Sequence, residues 1–99
     1  MASFEKIDEF DKELFCGEVD EMHFYLLVAV SSIHSKKIIL AMKDYLVCGY
    51  SRKTVCEMHN VNNGYLSISL ARLRRIHYYI KRMIPFYNID ENWGGNGLH

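Results

Sequence analysis

The sequence predicts a small all-α domain of four or five helices that contains a helix-turn-helix. Three observations support this class. Capping residues precede apolar repeats of helical period, a short and a long helix meet at a tight corner within Ser51–Tyr79, and no β-hairpin or phosphate-binding glycine loop occurs. With 99 residues, 49% of them hydrophobic and 24% charged, the chain has the size and composition of one folded domain.

Residues 1–18 form an acidic arm that we expect to be partly helical or disordered. Its four apolar residues at helical spacing are Phe4, Ile7, Phe10 and Leu14. That spacing is compatible with a short amphipathic helix, but a solvated, frayed arm is an equally open interpretation. Gly17 ends whatever helix forms in this arm.

Two scaffold helices follow the arm. Asp20 is a suitable N-cap for the first, Met22–Val30, which is apolar nearly all round and is therefore predicted to be buried in the domain or against a partner. Ser35 caps the second, Lys36–Cys48, and Gly49 closes it just past the last turn.

The helix-turn-helix begins with a short helix capped by Ser51. Val55, Met58 and Cys56 of this helix are expected to face inward. Asn60 suits the left-handed backbone conformation that the corner needs, because asparagine tolerates it better than most residues. Val61 is expected to fill the gap between the two helices.

The second helix of the motif is capped by Asn62 or Asn63 and runs toward Met83. Pro85 is expected to stop it, because the residue before a proline is pushed out of helical geometry. The predicted packing face consists of Leu66, Leu70, Leu73, His77 and Ile80. The domain then spans residues 19–87, and the glycine-rich residues 88–99 are interpreted as a flexible C-terminal tail.

Charge is distributed unevenly along a chain whose net charge is zero. Residues 1–21 carry a net charge of −6, whereas residues 51–82 contain seven lysines and arginines against Glu57 alone, a net charge of +6. A basic segment of this kind is what a polyanion would meet. The segment therefore indicates nucleic-acid binding at the helix-turn-helix.

The polar face of the second motif helix supplies the expected contacts with double-stranded DNA. A helix-turn-helix inserts the start of this helix into a groove, so Tyr65, Ser67 and Ile68 are candidates for base contact. Ile68 suits a thymine methyl, but also a protein interface or a singly exposed aliphatic side chain. The other expected DNA contacts, mostly to phosphates, are Arg52, Lys53, Asn62, Asn63, Arg72, Arg74, Arg75, Lys81 and Arg82.

Catalytic and metal chemistry is not indicated. Cys56 and His59 lie three residues apart, but a structural zinc site needs four convergent ligands, usually in close-spaced pairs. We therefore expect no metal and no cofactor. Because no nucleophile–base pair at usable spacing marks an active site, we also expect no enzyme activity and no small-molecule substrate.

The compartment is inferred from the start of the chain and its apolar runs. The acidic N-terminus is unlike a signal peptide, and the apolar run Tyr25–Val30 is far too short to span a bilayer. Three cysteines without regular spacing fit a reduced environment. We expect a cytoplasmic protein that does not enter membranes.

Three stretches of the sequence resemble the PapB-type regulators of bacterial fimbrial adhesin operons. They are Ser32-Ile-His-Ser-Lys-Lys-Ile-Ile, Asp44-Tyr-Leu-Val-Cys-Gly-Tyr-Ser-Arg-Lys, and Asn60-Val-Asn-Asn-Gly-Tyr-Leu-Ser-Ile-Ser-Leu-Ala-Arg-Leu. The resemblance extends from about Val19 to Tyr87 without a gap, and the acidic arm and the glycine-rich end fit it least well.

The resemblance implies a transcriptional activator or repressor that binds AT-rich promoter DNA as an oligomer, bound to the nucleoid when on DNA. The resemblance also implies an alternative to the major groove, in which Arg72, Arg74 and Arg75 enter a narrow, strongly negative minor groove, and the choice of groove stays open. Self-association is expected through Phe24 and Leu27 of the apolar helix, with the acidic arm meeting a neighbour's basic segment. The alternative is a helix-turn-helix module that binds another regulator and not DNA.

Overall fold

The structure, a computed structural model, describes residues 14–87, and that range contains four α-helices and no strand. They are α1 Glu21–Ser31, α2 Lys36–Leu46, α3 Arg52–His59 and α4 Asn63–Tyr87. The predicted all-α class is confirmed. The helix expected near Phe4 and the expected tail of residues 88–99 lie outside the described residues. Among residues 14–87, no helix combines the length and the apolar character needed to cross a lipid bilayer.

The predicted caps of the first three helices are confirmed. Asp20, Ser35 and Ser51 each have extended backbone, and their side-chain oxygens accept a hydrogen bond from the backbone N–H three residues on, at 3.1–3.4 Å. Each bond satisfies a donor that the first turn of a helix leaves without a partner. These local signals explain why the starts of the helices are read correctly from sequence.

The corner between α3 and α4 has the predicted geometry. Asn60 ends α3 with φ 55, in the left-handed region, and the backbone N–H of Val61 donates to the Cys56 carbonyl at 3.0 Å. Val61 packs against the core, as expected. Three residues therefore separate a two-turn helix from a seven-turn helix.

One hydrophobic core lies between the four helices and the segment that precedes them. It consists of Leu14, Val19, Phe24, Leu27, Ile33, Ile38, Ala41, Met42, Leu46, Val55, Leu66, Leu70 and Leu73. Leu66, Leu70 and Leu73 of α4 are among the largest fully buried side chains of this core. Their burial fixes the rotation of α4 about its own axis.

The segment before α1 belongs to the folded domain, which therefore starts no later than Leu14 and not at residue 19. Leu14 is buried, and the N–H groups of Gly17 and Val19 donate at 3.0 Å to the carbonyls of the last two residues of α2. A Cβ on Gly17 would lie 3.0 Å from the Gly49 Cα, so only glycine permits this approach. Acidic composition predicts a solvated arm. It does not indicate that backbone N–H groups of this arm donate to the end of α2.

The expected oligomer contact of Phe24 and Leu27 is wrong. Both side chains are buried in the core of their own chain. An almost wholly apolar helix does not reveal which stripe is covered, because every face could pack. The apolar side chains that α1 exposes are Met22, Tyr25, Leu26 and Val30.

The inward face of α3 differs from the prediction at Met58, which is exposed. Val55 is buried, and Cys56 and His59 are the residues that turn inward beside it. His59 Nε2 lies 2.7 Å from Asp44 Oδ2 of α2, a polar contact that takes the place a second apolar residue would occupy. Val55 thus anchors the short helix by apolar packing, and His59 adds a polar contact with α2.

Helix α4 continues through Pro85 to Tyr87, so the predicted stop is wrong. Proline removes one backbone donor, and so close to the end of a helix few later hydrogen bonds depend on it. In this half Ile80 is exposed, against the prediction, whereas His77 is half-buried and its ring centre lies 5.2 Å from that of His23 of α1, as the predicted packing face requires. The buried residues of α4 end at Leu73.

Candidate nucleic-acid interface

The first turn of α4 is capped by Asn62, which decides between the two asparagines. Asn62 Oδ1 accepts a hydrogen bond from the Tyr65 N–H at 3.1 Å. A Cβ on Gly64 would lie 3.0 Å from that oxygen, so the glycine leaves room for the cap. The side chain of Asn62 and the absence of a side chain at Gly64 thus fix the start of α4.

The two long sides of α4 have opposite character in its first half. Leu66, Ser69, Leu70 and Leu73 are buried. The outward strip consists of the exposed residues Tyr65, Ile68, Arg72 and Arg75. Because residues three and four apart share a helix face, these four side chains form a row about 15 Å long. We call this row the outer strip.

The electrostatics of α4 favour a polyanion. Its 25 residues include five lysines and arginines and no acid. Two of the acids in residues 14–87 are paired elsewhere: Asp44 with His59, and Glu21 with Lys43 Nζ at 3.5 Å. Tyr25, and after it Glu21, raise the pKa of Lys43. Neither of these two carboxylates therefore pairs with a cation of α4.

One flank of α4 is occupied by Arg52 of α3. Its Nε donates to Asn63 Oδ1 at 3.3 Å, and its Nη2 donates to Ser67 Oγ. The guanidinium carbon also lies 6.0 Å from the centre of the Tyr45 ring of α2. Arg52 and Ser67, both expected at the DNA, are thus engaged within the chain.

Arg74 lies on the same flank and holds the segment before α1. Its Nε and Nη2 both donate to the Leu14 carbonyl, at 3.3 and 3.1 Å. A carbonyl that accepts two bonds from a cation is strongly bound. Arg74 therefore binds the segment before α1 to α4, whereas its neighbours Arg72 and Arg75 are exposed.

The remaining predicted contacts lie at the two ends of the outer strip. Asn62 and Asn63 are exposed at the N-terminus of α4, and Lys53 is exposed on α3. Lys81 and Arg82 are exposed on the second half of α4, where Arg82 Nη1 donates to the Tyr78 hydroxyl at 3.1 Å. Four of the twelve predicted residues, Tyr65, Ile68, Arg72 and Arg75, thus lie in the outer strip.

Metal ligation finds no support in the part of the chain that the structure describes. No group of three or more histidine, cysteine or acidic side chains in residues 14–87 is placed to hold a metal ion. Cys16, Cys48 and Cys56 are all free thiols.

Residues 2–87 match the PapB family, described as adhesin biosynthesis transcription regulatory proteins. The chain belongs to this family. The match includes most of the acidic arm, which the resemblance in the sequence had left out. Because the family consists of regulators and not of enzymes, the chain is a transcriptional regulator by descent.

Two curated relatives from Escherichia coli illustrate the family. The chain is 55% identical to PapB, the regulatory protein of the major pilus subunit operon, over 79 residues that make up 80% of this chain and 75% of PapB. It is 45% identical to the AFA-III adhesin operon regulatory protein over 74 residues, 75% of this chain and 73% of the relative.

A solved member of the family has the same fold. The crystal structure of Escherichia coli FocB superimposes with a TM-score of 0.77 at 49% sequence identity, and the match covers 87% of this chain and 96% of FocB. FocB and this chain therefore share the same fold.

Sequence reasoning missed two roles on the flank of α4. Arg52 and Arg74 were read as cations for DNA, whereas each donates to groups of its own chain. For Arg74, no sequence signal was available, because Leu14 lies 60 residues away. For Arg52, the signal was helical spacing, since Asn63 and Ser67 are four residues apart and share a face.

Proposed function

We propose that the chain binds AT-rich double-stranded DNA at fimbrial adhesin operons and activates or represses their transcription as a homo-oligomer. The main support is the outer strip: four exposed side chains in a row on a helix without acidic residues, opposite the buried side of its first half. The names of the relatives support the class of operon. Such a protein acts in the bacterial cytoplasm, at the nucleoid, and needs no cofactor.

The outer strip has the order expected for DNA contact. Tyr65 and Ile68 lie in the first two turns, where a recognition helix meets bases. Arg72 and Arg75 follow, within reach of phosphates, and each cation that neutralises a phosphate releases counterions. Ile68, 63% exposed on a polar strip, is suited to a thymine methyl.

Preference for AT-rich DNA has a different basis in each groove: in the major groove Ile68 meets thymine methyls, and in the alternative, minor-groove mode it rests on the spacing of the two arginines. Arg72 and Arg75 lie three residues apart and extend from the same face of α4. A narrow minor groove, typical of A-tracts, has an enhanced negative potential that attracts arginine. Two adjacent guanidinium groups therefore suit A-tract DNA better than GC-rich DNA.

Oligomer formation is supported by the second half of α4. Ile76, Ile80, Met83 and Tyr87 follow one another at spacings of four, three and four, the repeat of a coiled-coil seam. The last three are exposed. The residues beside this seam, His77, Tyr79, Ile84 and Phe86, carry no carboxylate or ammonium group, and Lys81 and Arg82 lie away from it. A second copy would therefore meet an apolar seam without opposed like charges.

The DNA proposal is tested by fluorescence anisotropy with an AT-rich and a GC-rich duplex of equal length. We expect tighter binding to the AT-rich duplex and a steep loss of affinity with salt. Arg72→Ala with Arg75→Ala should lower the salt slope by about 1.8, since each phosphate contact contributes about 0.9. Lys36→Ala with Lys37→Ala on α2 removes the same charge elsewhere and should leave the slope unchanged. Equal slopes for both double variants would contradict the proposal.

A second candidate function is a module that binds another regulator without touching DNA. The observation in its favour is the exposed apolar side of α1 and of the second half of α4. The same salt series discriminates the two, because apolar docking does not weaken with salt as phosphate binding does.

A further inference from the structure

The side-chain contacts of Arg52 involve three helices. Its guanidinium donates to Asn63 and Ser67 of α4 and lies 6.0 Å from the centre of the Tyr45 ring of α2, while its backbone belongs to α3. Three helices therefore meet at one side chain. Lys53, its neighbour, is exposed and makes no such contacts within residues 14–87.

We propose that Arg52 is a positioning residue that sets the angle and rotation of the recognition helix, and not a phosphate contact. This inference rests on the proposed DNA binding, which it deepens. Asn63 and Ser67 occupy successive turns of α4, so two hydrogen bonds to one rigid planar group fix both the tilt and the rotation of its start. Tyr65 and Ile68 of the outer strip lie on these same turns.

The chemistry of arginine explains why this position would demand it. The guanidinium group is a planar fork that can donate in two directions at once and stack on an aromatic ring. Lysine carries the same charge but is a single flexible ammonium point. A phosphate contact tolerates lysine, whereas a clamp between two acceptors and a ring does not.

The test compares the salt dependence of DNA binding in Arg52→Ala, Arg52→Lys, Lys53→Ala and Arg75→Ala. For Arg52→Ala we expect at least tenfold weaker binding with the wild-type salt slope, and Arg52→Lys should restore little of it. Arg75→Ala should lower the slope by about 0.9 because it removes a phosphate contact. A lower slope in Arg52→Ala, or recovery of affinity by Arg52→Lys, would overturn the proposal.

A measurement without DNA separates this inference from the proposed function. Amide hydrogen exchange should accelerate from Leu66 to Leu70 in Arg52→Ala but not in Lys53→Ala, while the exchange of α2 stays unchanged. If the wild-type protein fails to bind either duplex, the proposed function fails, and the exchange data still decide whether Arg52 holds α4. Unchanged exchange in Arg52→Ala would overturn the clamp.

Ser67→Ala provides the matched partner variant. If Ser67 acts through Arg52, Ser67→Ala should weaken DNA binding in the wild-type background but not further in Arg52→Ala, because groups that share one interaction are not additive. Full additivity of the two substitutions would show that they act independently and would also overturn the proposal.

Discussion

The two halves of α4 carry the same sequence pattern and have different surroundings. In the first half the apolar stripe is buried, with Leu70 at 0% exposure; in the second the stripe continues uncovered, with Ile84 at 48%. The cause is length. At 1.5 Å per residue, α1 with 11 residues spans about 16 Å, and α4 with 25 residues spans about 37 Å. An apolar stripe thus indicates where a helix can pack, while the neighbouring elements decide where it does.

The difference assigns separate tasks to the halves. The first half is fixed by the core on one side and by the contacts of Arg52 and Arg74 on one flank, and it presents the outer strip. The second half extends beyond that support and presents an apolar seam. In our proposal the rigid half meets DNA and the uncovered half meets a second copy of the chain.

The strongest test of the comparison exchanges one apolar residue in each half for alanine. Leu70→Ala should lower the free energy of unfolding by about 2–5 kcal/mol, because it leaves a cavity in a closed core. Ile84→Ala should change it by about 0.5 kcal/mol or less in dilute solution, since its side chain is half exposed. Urea unfolding measures both, and equal losses would show that the second half is covered too.

Much of the fold follows from local sequence signals. Asp20, Ser35 and Ser51 predict the starts of helices, and Asn60 predicts the corner. These predictions succeed because caps and left-handed turns depend on residues close in the chain. The end of α4 was misread because Pro85 disfavours a helix without forbidding its last turn. Phe24 and Leu27 were placed at an interface because the pattern of α1 does not identify its covered stripe.

The candidate site is less predictable than the fold. Exposure of Tyr65, Ile68, Arg72 and Arg75 follows from helical period and is found as predicted. The role of Arg74 depends on a contact 60 positions away, which no local pattern encodes, and the role of Arg52 is indicated only by the helical spacing of its two partners on α4. Charge alone therefore overestimates the number of residues available to DNA.

Arg74 and Arg75 are adjacent in the chain, but their replacement by alanine should have different effects on stability and on DNA binding. Arg74→Ala should lower the free energy of unfolding by about 1.5–3 kcal/mol, because the half-buried Leu14 carbonyl loses a cationic donor. Arg75→Ala should leave stability within about 0.5 kcal/mol and weaken DNA binding. Thermal unfolding and anisotropy on both variants decide the point. If Arg75→Ala were the destabilising change, the division between flank and outer strip would be wrong.

A smaller effect is expected when a glutamate is placed in each half at an exposed isoleucine. Ile80→Glu should weaken self-association about tenfold or more, about 1.4 kcal/mol, while DNA contacts of the outer strip persist. Ile68→Glu introduces the same charge on the outer strip and should impair DNA binding while self-association persists. Sedimentation velocity and anisotropy measure the two properties separately. Loss of self-association in Ile68→Glu but not in Ile80→Glu would reverse the assignment of the halves.

The smallest effect should come from Gly64→Ala at the start of the first half. Alanine favours the helix by about 1 kcal/mol over glycine, but its Cβ would lie 3.0 Å from Asn62 Oδ1 and displace a cap worth about 1 kcal/mol. We therefore expect a net change in unfolding free energy of about 0.5 kcal/mol or less.

The cancellation in Gly64→Ala is open to a direct check with Asn62→Ala. In that background the cap is already lost, so Gly64→Ala should stabilise by about 0.4–1 kcal/mol, and the two substitutions should be strongly non-additive. Additive effects would mean that the glycine does not serve the cap. The absence of a side chain at Gly64 would then serve DNA binding, because it lets DNA approach the first turn of α4. In that case Gly64→Ala would change the affinity for DNA and not the free energy of unfolding.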